Sequence, residues 1–188
     1  AIQVAQNDDR ILFADDLSGV IRIDGAFGAI GIGANVSIFG DDRITISGDV
    51  NGDDVVADGL TDAVATMASG SFSDNQQIFA LANSATNVLF DGLTLTGGRG
   101  TSDFGGAVDA FYSDLTVQGS TFAGNISYGG YGGGVIYTGA DLTVENSTFF
   151  DNIAIDGTNT SVGHGGGAIF IKGGDLSVIN TTFAENQA

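Results

Sequence analysis

Cysteine and proline are both absent from this 188-residue chain, and cationic side chains are scarce. Without cysteine there is no disulfide framework and no thiolate or Cys-zinc chemistry. With no proline, 31 glycines and 43% hydrophobic residues, the composition is neither that of a disordered tail nor that of collagen. The five basic residues, Arg10, Arg22, Arg43, Arg99 and Lys172, face 23 acidic ones, for a net charge of −18. Nucleic acids and anionic membrane surfaces both require a basic patch, so neither is expected as a partner. The longest apolar runs are far too short to span a bilayer, and no stretch reads as a signal peptide. An acidic, Gly/Asp-rich, Cys-free, Lys-poor chain is compositionally like the large proteins that Gram-negative bacteria export unfolded, so a secreted or cell-surface location is expected.

What is present is a repeat. "DLTVENSTFFDN" (141–152) has near-copies in "DLTVQGSTFAGN" (114–125) and "DLSVINTTFAEN" (175–186), with a looser relative in "NVLFDGLTLTGG" (87–98). The copies begin 27, 27 and 34 residues apart. Aligned, they place Val88, Leu115, Leu142 and Leu176 in one column. Phe90, Val117, Val144 and Val178 form a second, and Leu95, Phe122, Phe149 and Phe183 a third. Within each copy apolar and polar residues alternate over short runs, which is strand periodicity. A further short apolar run follows each glycine cluster: "GGAVDAF" (105–111), "GGGVIYT" (132–138) and "GGGAIFI" (165–171).

Three short strands per repeat, no hairpin turns and a variable period predict a coil wound around an axis. Each strand then pairs with its equivalent one coil away, at about 4.8 Å. The expected fold is all-β: a right-handed parallel β-helix, single-stranded, with residues 1–188 forming one domain. "DRILFADDLSGVIRI" (9–23), "NVSIFGDDRITISGD" (35–49) and "QQIFAL" (76–81) follow the same grammar, making about six coils with the last incomplete. "AIQVAQN" is expected to be a short amphipathic cap with Ile2 and Val4 or Ala5 facing the core. Both ends read as cut, so further coils of a parent chain are expected beyond Ala188. A native product no longer than this chain would contradict that.

The stretches "ILFADDLSGVIRI", "RITISGD", "NVLFDGLTLTGG" and the "DLTVxxSTFxxN…GGGAI" repeats resemble bacterial β-helix repeat proteins of the polymorphic outer-membrane-protein-like and choice-of-anchor surface kind. The resemblance covers nearly the whole chain, and the opening Ala-Ile matches the end of the Leu-Arg-x-Ala-Ile cap of such proteins. It implies a secreted or surface-displayed parallel β-helix within a very large protein, with an adhesive or structural role and no catalytic signature.

Length variation falls between strands two and three, and an insertion spans residues 49–76. If coils stack in register, these loops form one edge, where a carbohydrate or protein partner is expected. The insertion opens "GDVNGDDVVADGLTD", which gathers Asp49, Asn51, Asp53, Asp54, Asp58 and Asp62. Alternating oxygen ligands on a flexible acidic loop suit calcium, although the EF-hand pattern fails because Asp54 and Leu60 stand where glycine and glutamate are needed. The alternative is a solvated acidic loop. Phe104, Tyr128, Tyr131, Tyr137, His164 and Phe170 cluster at or near the same edge. As exposed aromatics they suit carbohydrate or protein contact. As cross-coil stacks, which is the expectation for outward-facing Tyr137 and Phe170, they only shield the sheet.

Catalysis is the weaker reading. "GHG" at His164 with downstream Lys172 faintly resembles polygalacturonases, which also need Asn-Thr-Asp and Asp-Asp motifs on neighbouring coils. Here Asn-Thr-Asp is absent and Asp53–Asp54 lie about three coils upstream. A calcium-assisted lyase would need a base among carboxylates, and Arg99 near Asp103 and Asp109 is the only candidate. Outward threonines Thr45, Thr94, Thr121, Thr148 and Thr182 form a column that could meet ice, although β-branched residues favour such positions anyway. The Asn125, Asn152 and Asn186 column is expected to turn the corner in left-handed backbone and to hydrogen-bond along the stack. The leading expectation is a non-enzymatic extracellular structural or adhesive module. The alternative is a polysaccharide-acting lyase or hydrolase, and ice binding comes after both.

Overall fold

A computed structural model describes residues 4–52, 74–83, 85–101, 105–128, 134–155 and 166–188. It contains strands and no α-helix among the described residues. Among the described residues all strand pairs are parallel, and they fall into three sheets. The architecture is all-β and solenoid-like.

The first sheet holds ten strands. One column of it stacks β1 (Asp9–Leu12), the first half of β4 (Val36–Ser47), the first half of β6 (Asn87–Thr96), β9 (Asp114–Gln118), β13 (Leu142–Glu145) and β17 (Leu176–Ile179). A second column stacks β2 (Gly19–Arg22), the ends of β4 and β6, β10 (Thr121–Ala123), β14 (Thr148–Phe150) and β18 (Thr182–Ala184). The corner between the columns is made by residues in the left-handed region: Asp41 and Asp42, Gly92, Gly119, Asn146 and Asn180. Short Asp and Asn side chains tolerate that conformation, and glycine adopts it freely.

A five-stranded sheet holds β3 (Ile30–Ile32), β5 (Phe79–Leu81) and the strand after each glycine cluster, β8 (Val108–Ala110), β12 (Ile136–Thr138) and β16 (Ile169–Ile171). The remaining sheet adds a strand to the expected three per repeat. β7 (Arg99–Thr101), β11 (Ile126–Tyr128) and β15 (Ile153–Ile155) pair in register within the segments expected to be loops between strands two and three. A complete circuit such as β9–β10–β11–β12 therefore contains four strands rather than three. The signal was the echo of Asn-Ile-Ser-Tyr at 125–128 in Asn-Ile-Ala-Ile at 152–155.

The aligned columns are ladders of paired residues. Val36, Val88, Leu115 and Leu142 are buried along one, Ile38, Phe90, Val117 and Val144 along the next. Phe122 and Phe149 lie 4.7 Å apart and nearly parallel, and Phe183 continues the stack at 5.0 Å. All of these side chains except Phe183 form one contiguous core with Ile78, just before β5, and with Phe79, Val108 and Ile136 of the five-stranded sheet. Each circuit's apolar face is closed by the circuits on either side of it, so the core requires the copies.

The glycine clusters have a steric reason. A Cβ on Gly106 would meet the backbone of Ile126 at 2.8 Å, and one on Gly105 would strike the Val108 carbonyl and the Tyr137 nitrogen. The backbones of adjacent sheets approach there too closely for any side chain. At the start of the chain, Ala5 packs against the core while Val4 is 80% exposed, so of the two alternatives for the cap the inward residue is Ala5.

Candidate functional site

The loop edge is built on the third sheet. Tyr128 ends β11, in register with Thr101 and Ile155, and is 37% exposed. Phe104, Tyr131 and His164, the other residues expected at this edge, lie outside the described residues.

Tyr137 stands differently from a ligand platform. It sits on the outward face of β12, yet only 5% of it is exposed. Phe111 lies 5.5 Å from one face of its ring and Phe170 5.6 Å from the other, at 14° and 7°. Both ring faces are occupied, so Tyr137 and half-buried Phe170 are members of a cross-coil aromatic stack. Phe111 was missed as its third member, because it follows β8 instead of lying on it. Tyr112, 64% exposed, meets Phe111 edge-on, and the Lys172 ammonium stands 5.5 Å from the Phe111 ring. Asp109 neighbours Tyr137 across the sheet. Burial pushes its carboxyl above the usual range, and the hydrogen bond it accepts from the Phe111 backbone N–H opposes that shift.

Of the residues proposed for calcium, Asp49 and Asn51 are described, and Asp53, Asp54, Asp58 and Asp62 lie outside the described residues. Asp49 is buried, and its Oδ1 accepts the Gly52 N–H at 2.7 Å. This carboxylate thus already serves as a turn former at the mouth of the insertion. Opposite it the chain re-enters the stack at Gln76, whose N–H bonds the Gly48 carbonyl at 2.9 Å. Among the described residues no three acidic or histidine side chains converge as a metal site requires. Arg99, the candidate lyase base, heads β7 in register with buried Ile126.

The polar residues that do converge are arranged along the axis. Asn125 and Asn152 are fully buried. Asn152 Oδ1 accepts from Asn125 N–H at 3.1 Å and Asn125 Nδ2 at 3.0 Å, while Asn152 Nδ2 donates to the Phe122 carbonyl and to Asn186 Oδ1. The expected hydrogen bonding along the stack is therefore present. The left-handed residues at this corner are instead the preceding ones, Gly97, Gly124, Asp151 and Glu185. A hydroxyl ladder runs beside it: Leu93 N–H bonds Ser120 Oγ, Ser120 N–H bonds Ser147 Oγ, and Ser147 N–H reaches Thr181 Oγ1. At the far corner Asp141 N–H bonds Asp114 Oδ1 and Asp175 N–H bonds Asp141 Oδ1. The "STF" and "DLTV" phrases carried both ladders, but one copy read alone gives their polar residues no partner.

Outward threonines Thr45, Thr94, Thr121, Thr148 and Thr182 pair in direct register. Comparison with protein-family models, with curated proteins and with solved structures yields no match.

Proposed function

We propose that this chain is a non-enzymatic structural and adhesive module of a large bacterial surface or secreted protein, wound as a right-handed, single-stranded parallel β-helix. The observation that carries the reading is the use made of the side chains capable of chemistry. Asn125, Asn152, Ser120 and Ser147 are buried and bonded along the axis, where they hold one circuit to the next. Groups arranged this way stiffen a rod. The neighbours along the axis are coils of the same kind. Binding of carbohydrate or protein falls to the edge beyond Tyr128, where the chain differs most from copy to copy.

The test has two arms. The protein is incubated with a panel of polyuronates and neutral polysaccharides, with and without millimolar calcium, and reducing ends and unsaturated products are followed. No turnover is expected, and sustained release in any lane sinks the non-enzymatic reading. Retention on the same polysaccharides, or on cell-surface protein, is then compared between the wild type and Tyr128→Ala/Tyr131→Ala. Weaker retention of the double variant is expected, and equal retention removes the edge from the proposal.

A further inference from the structure

The side-chain ladder along the corner before the first strand column is interrupted at Asn87, and a cavity lies at the interruption. Asn35 N–H bonds Asn7 Oδ1 at 2.9 Å, and Asn35 Oδ1 accepts the N–H groups of Thr86 and Asn87 at 2.8 and 3.1 Å. Further along the axis, Asp114 and Asp141 accept from the N–H groups of Asp141 and Asp175 in the same way. Between these two runs Asp114 N–H bonds the Thr86 carbonyl instead. The Asn87 side chain is thereby released from the ladder. Its Oδ1 has no partner among the described residues, and its Nδ2 makes only a long bond to Thr86 Oγ1, at 3.5 Å. Asp8 is set aside likewise. Its backbone is left-handed, with φ 70°, and Asn7 takes the ladder position in its place.

A cavity of about 170 Å³ opens there on the flank of the stack. Asp8, Asn87 and Asp114 line it at the corner, and Ser37, Leu89 and Thr116 line it on the sheet. The latter three form one outward column, paired in direct register from β4 through β6 to β9. The Leu89 side chain thus lies between two hydroxyls, so the floor is apolar at its middle and polar on either side. Two carboxylates face this space and no cation does. Arg10, in register with Ser37 on β1, stands over the Phe39 ring at 4.5 Å and takes no part in the lining. Two carboxylates are too few for calcium, which takes six to eight oxygens, and no third acidic or histidine side chain converges with them among the described residues. The lining offers carboxylate oxygens, an amide, two hydroxyls and an aliphatic patch. At roughly 30 Å³ per water the space equals about six waters, which suits one sugar ring and is too small for a drug-sized ligand.

We propose that this cavity binds a single uncharged pyranose unit of a surface glycan. The sugar's hydroxyls donate to Asp8 and Asp114 and exchange hydrogen bonds with Asn87, Ser37 and Thr116, while its C–H face lies on Leu89. A uronate is rejected, because its carboxylate would meet two others with no cation between them, on a chain of net charge −18. The proposal rests on the adhesive reading for the source of the sugar, and it uses none of the residues at the edge beyond Tyr128.

Titrating the 188-residue chain with the methyl glycosides of glucose, galactose and mannose, and with methyl glucuronoside, tests this through the amide chemical shifts. At least one neutral glycoside is expected to saturate with a dissociation constant on the order of a few millimolar, moving the Ser37, Asn87, Leu89 and Thr116 signals. The glucuronoside binds at least about tenfold more weakly. Thr116→Phe, an outward substitution that a strand accepts, fills the cavity and weakens binding more than about tenfold. Asp114→Asn keeps an acceptor for the Asp141 N–H and weakens binding about fivefold. Tyr128→Ala/Tyr131→Ala leaves the titration unchanged, so failure of the cavity and failure of the edge are read separately. The absence of saturable shifts at these residues with all three neutral glycosides overturns the proposal. Full binding in both Thr116→Phe and Asp114→Asn, or a glucuronoside that binds as tightly as the neutral sugars, overturns it too. Calcium that shifts the same signals to saturation and competes with the glycoside assigns the cavity to a cation and has the same consequence.

Discussion

Truncating Asn152 to alanine isolates what the buried amide ladder contributes. The side chain makes four hydrogen bonds, two accepted from Asn125 and two donated, to the Phe122 carbonyl and to Asn186 Oδ1. In Asn152→Ala the Asn125 N–H and one Asn125 Nδ2 proton lose their acceptor in a site that is fully buried. Each stranded donor costs about 1–3 kcal/mol, so a total near 4 kcal/mol follows. That is a large share of the roughly 5–15 kcal/mol of a folded domain. At about 2–4 °C per kcal/mol for a chain of this size, the melting temperature falls by roughly 12 °C. Thermal and urea melts followed by far-UV circular dichroism read it directly. Two comparators locate the effect. Asn186→Ala, at the partly exposed end of the ladder, has a smaller effect than Asn152→Ala. Outward Thr148→Ala stays within about 0.5 kcal/mol. A shift below roughly 3 °C for Asn152→Ala, or one equal to that of Thr148→Ala, refutes the idea that satisfied amides hold the circuits together.

Other expectations are simpler to state. Phe149→Ala removes a fully buried ring sandwiched between Phe122 and Phe183, and a loss of about 3–5 kcal/mol is expected in denaturant melts. Asp109 has its carboxyl raised by burial, so its folded-state pKa exceeds the unfolded one. Its relative contribution is greatest at acid pH and is lost as pH rises through the folded-state value. Asp109→Asn, which keeps an acceptor for the Phe111 N–H, therefore matches the wild type near pH 3 and melts higher than it at pH 7; equal melting at both pH values would count against this reading of the site. Asp49→Ala lowers stability by about 1 kcal/mol through the lost bond to the Gly52 N–H. Repeating the melt with 2 mM calcium separates the two roles of Asp49: an equal loss with and without the ion fits the turn bond alone, and a larger loss with calcium supports the expected metal role.

Much of the architecture was legible in one dimension. Leu142, Val144 and Phe149 alternate with polar residues, and their copies recur at a nearly constant spacing. That pattern admits parallel stacking in register, because a strand has one apolar face and only a copy of it can extend the column. The inward columns, the Phe122–Phe149–Phe183 stack and the outward threonine row all follow from that argument. The strand at 126–128 and 153–155 did not. Three residues between a corner and a loop carry too little periodicity to announce themselves, and only the pairing across circuits makes them a sheet.

Side-chain fates divide along the same line. Whether a residue faces in or out is a property of its strand and can be read locally. Whether an outward residue is exposed depends on its neighbours one circuit away. Tyr137 faces out and is buried because Phe111 and Phe170, 26 residues before and 33 after it, close on both sides of its ring. Asn152 likewise looked like a corner residue by type. Its neighbour Asp151 takes the left-handed backbone, and Asn152 turns inward to bond the circuits above and below. The sequence alone determined the repeat, the columns and the need for copies, since those rest on alternation and spacing. The partners of each polar group and the covering of each aromatic ring were decided by the tertiary structure, because hydrogen bonds and ring contacts join residues about one circuit apart, a separation that carries no local signal.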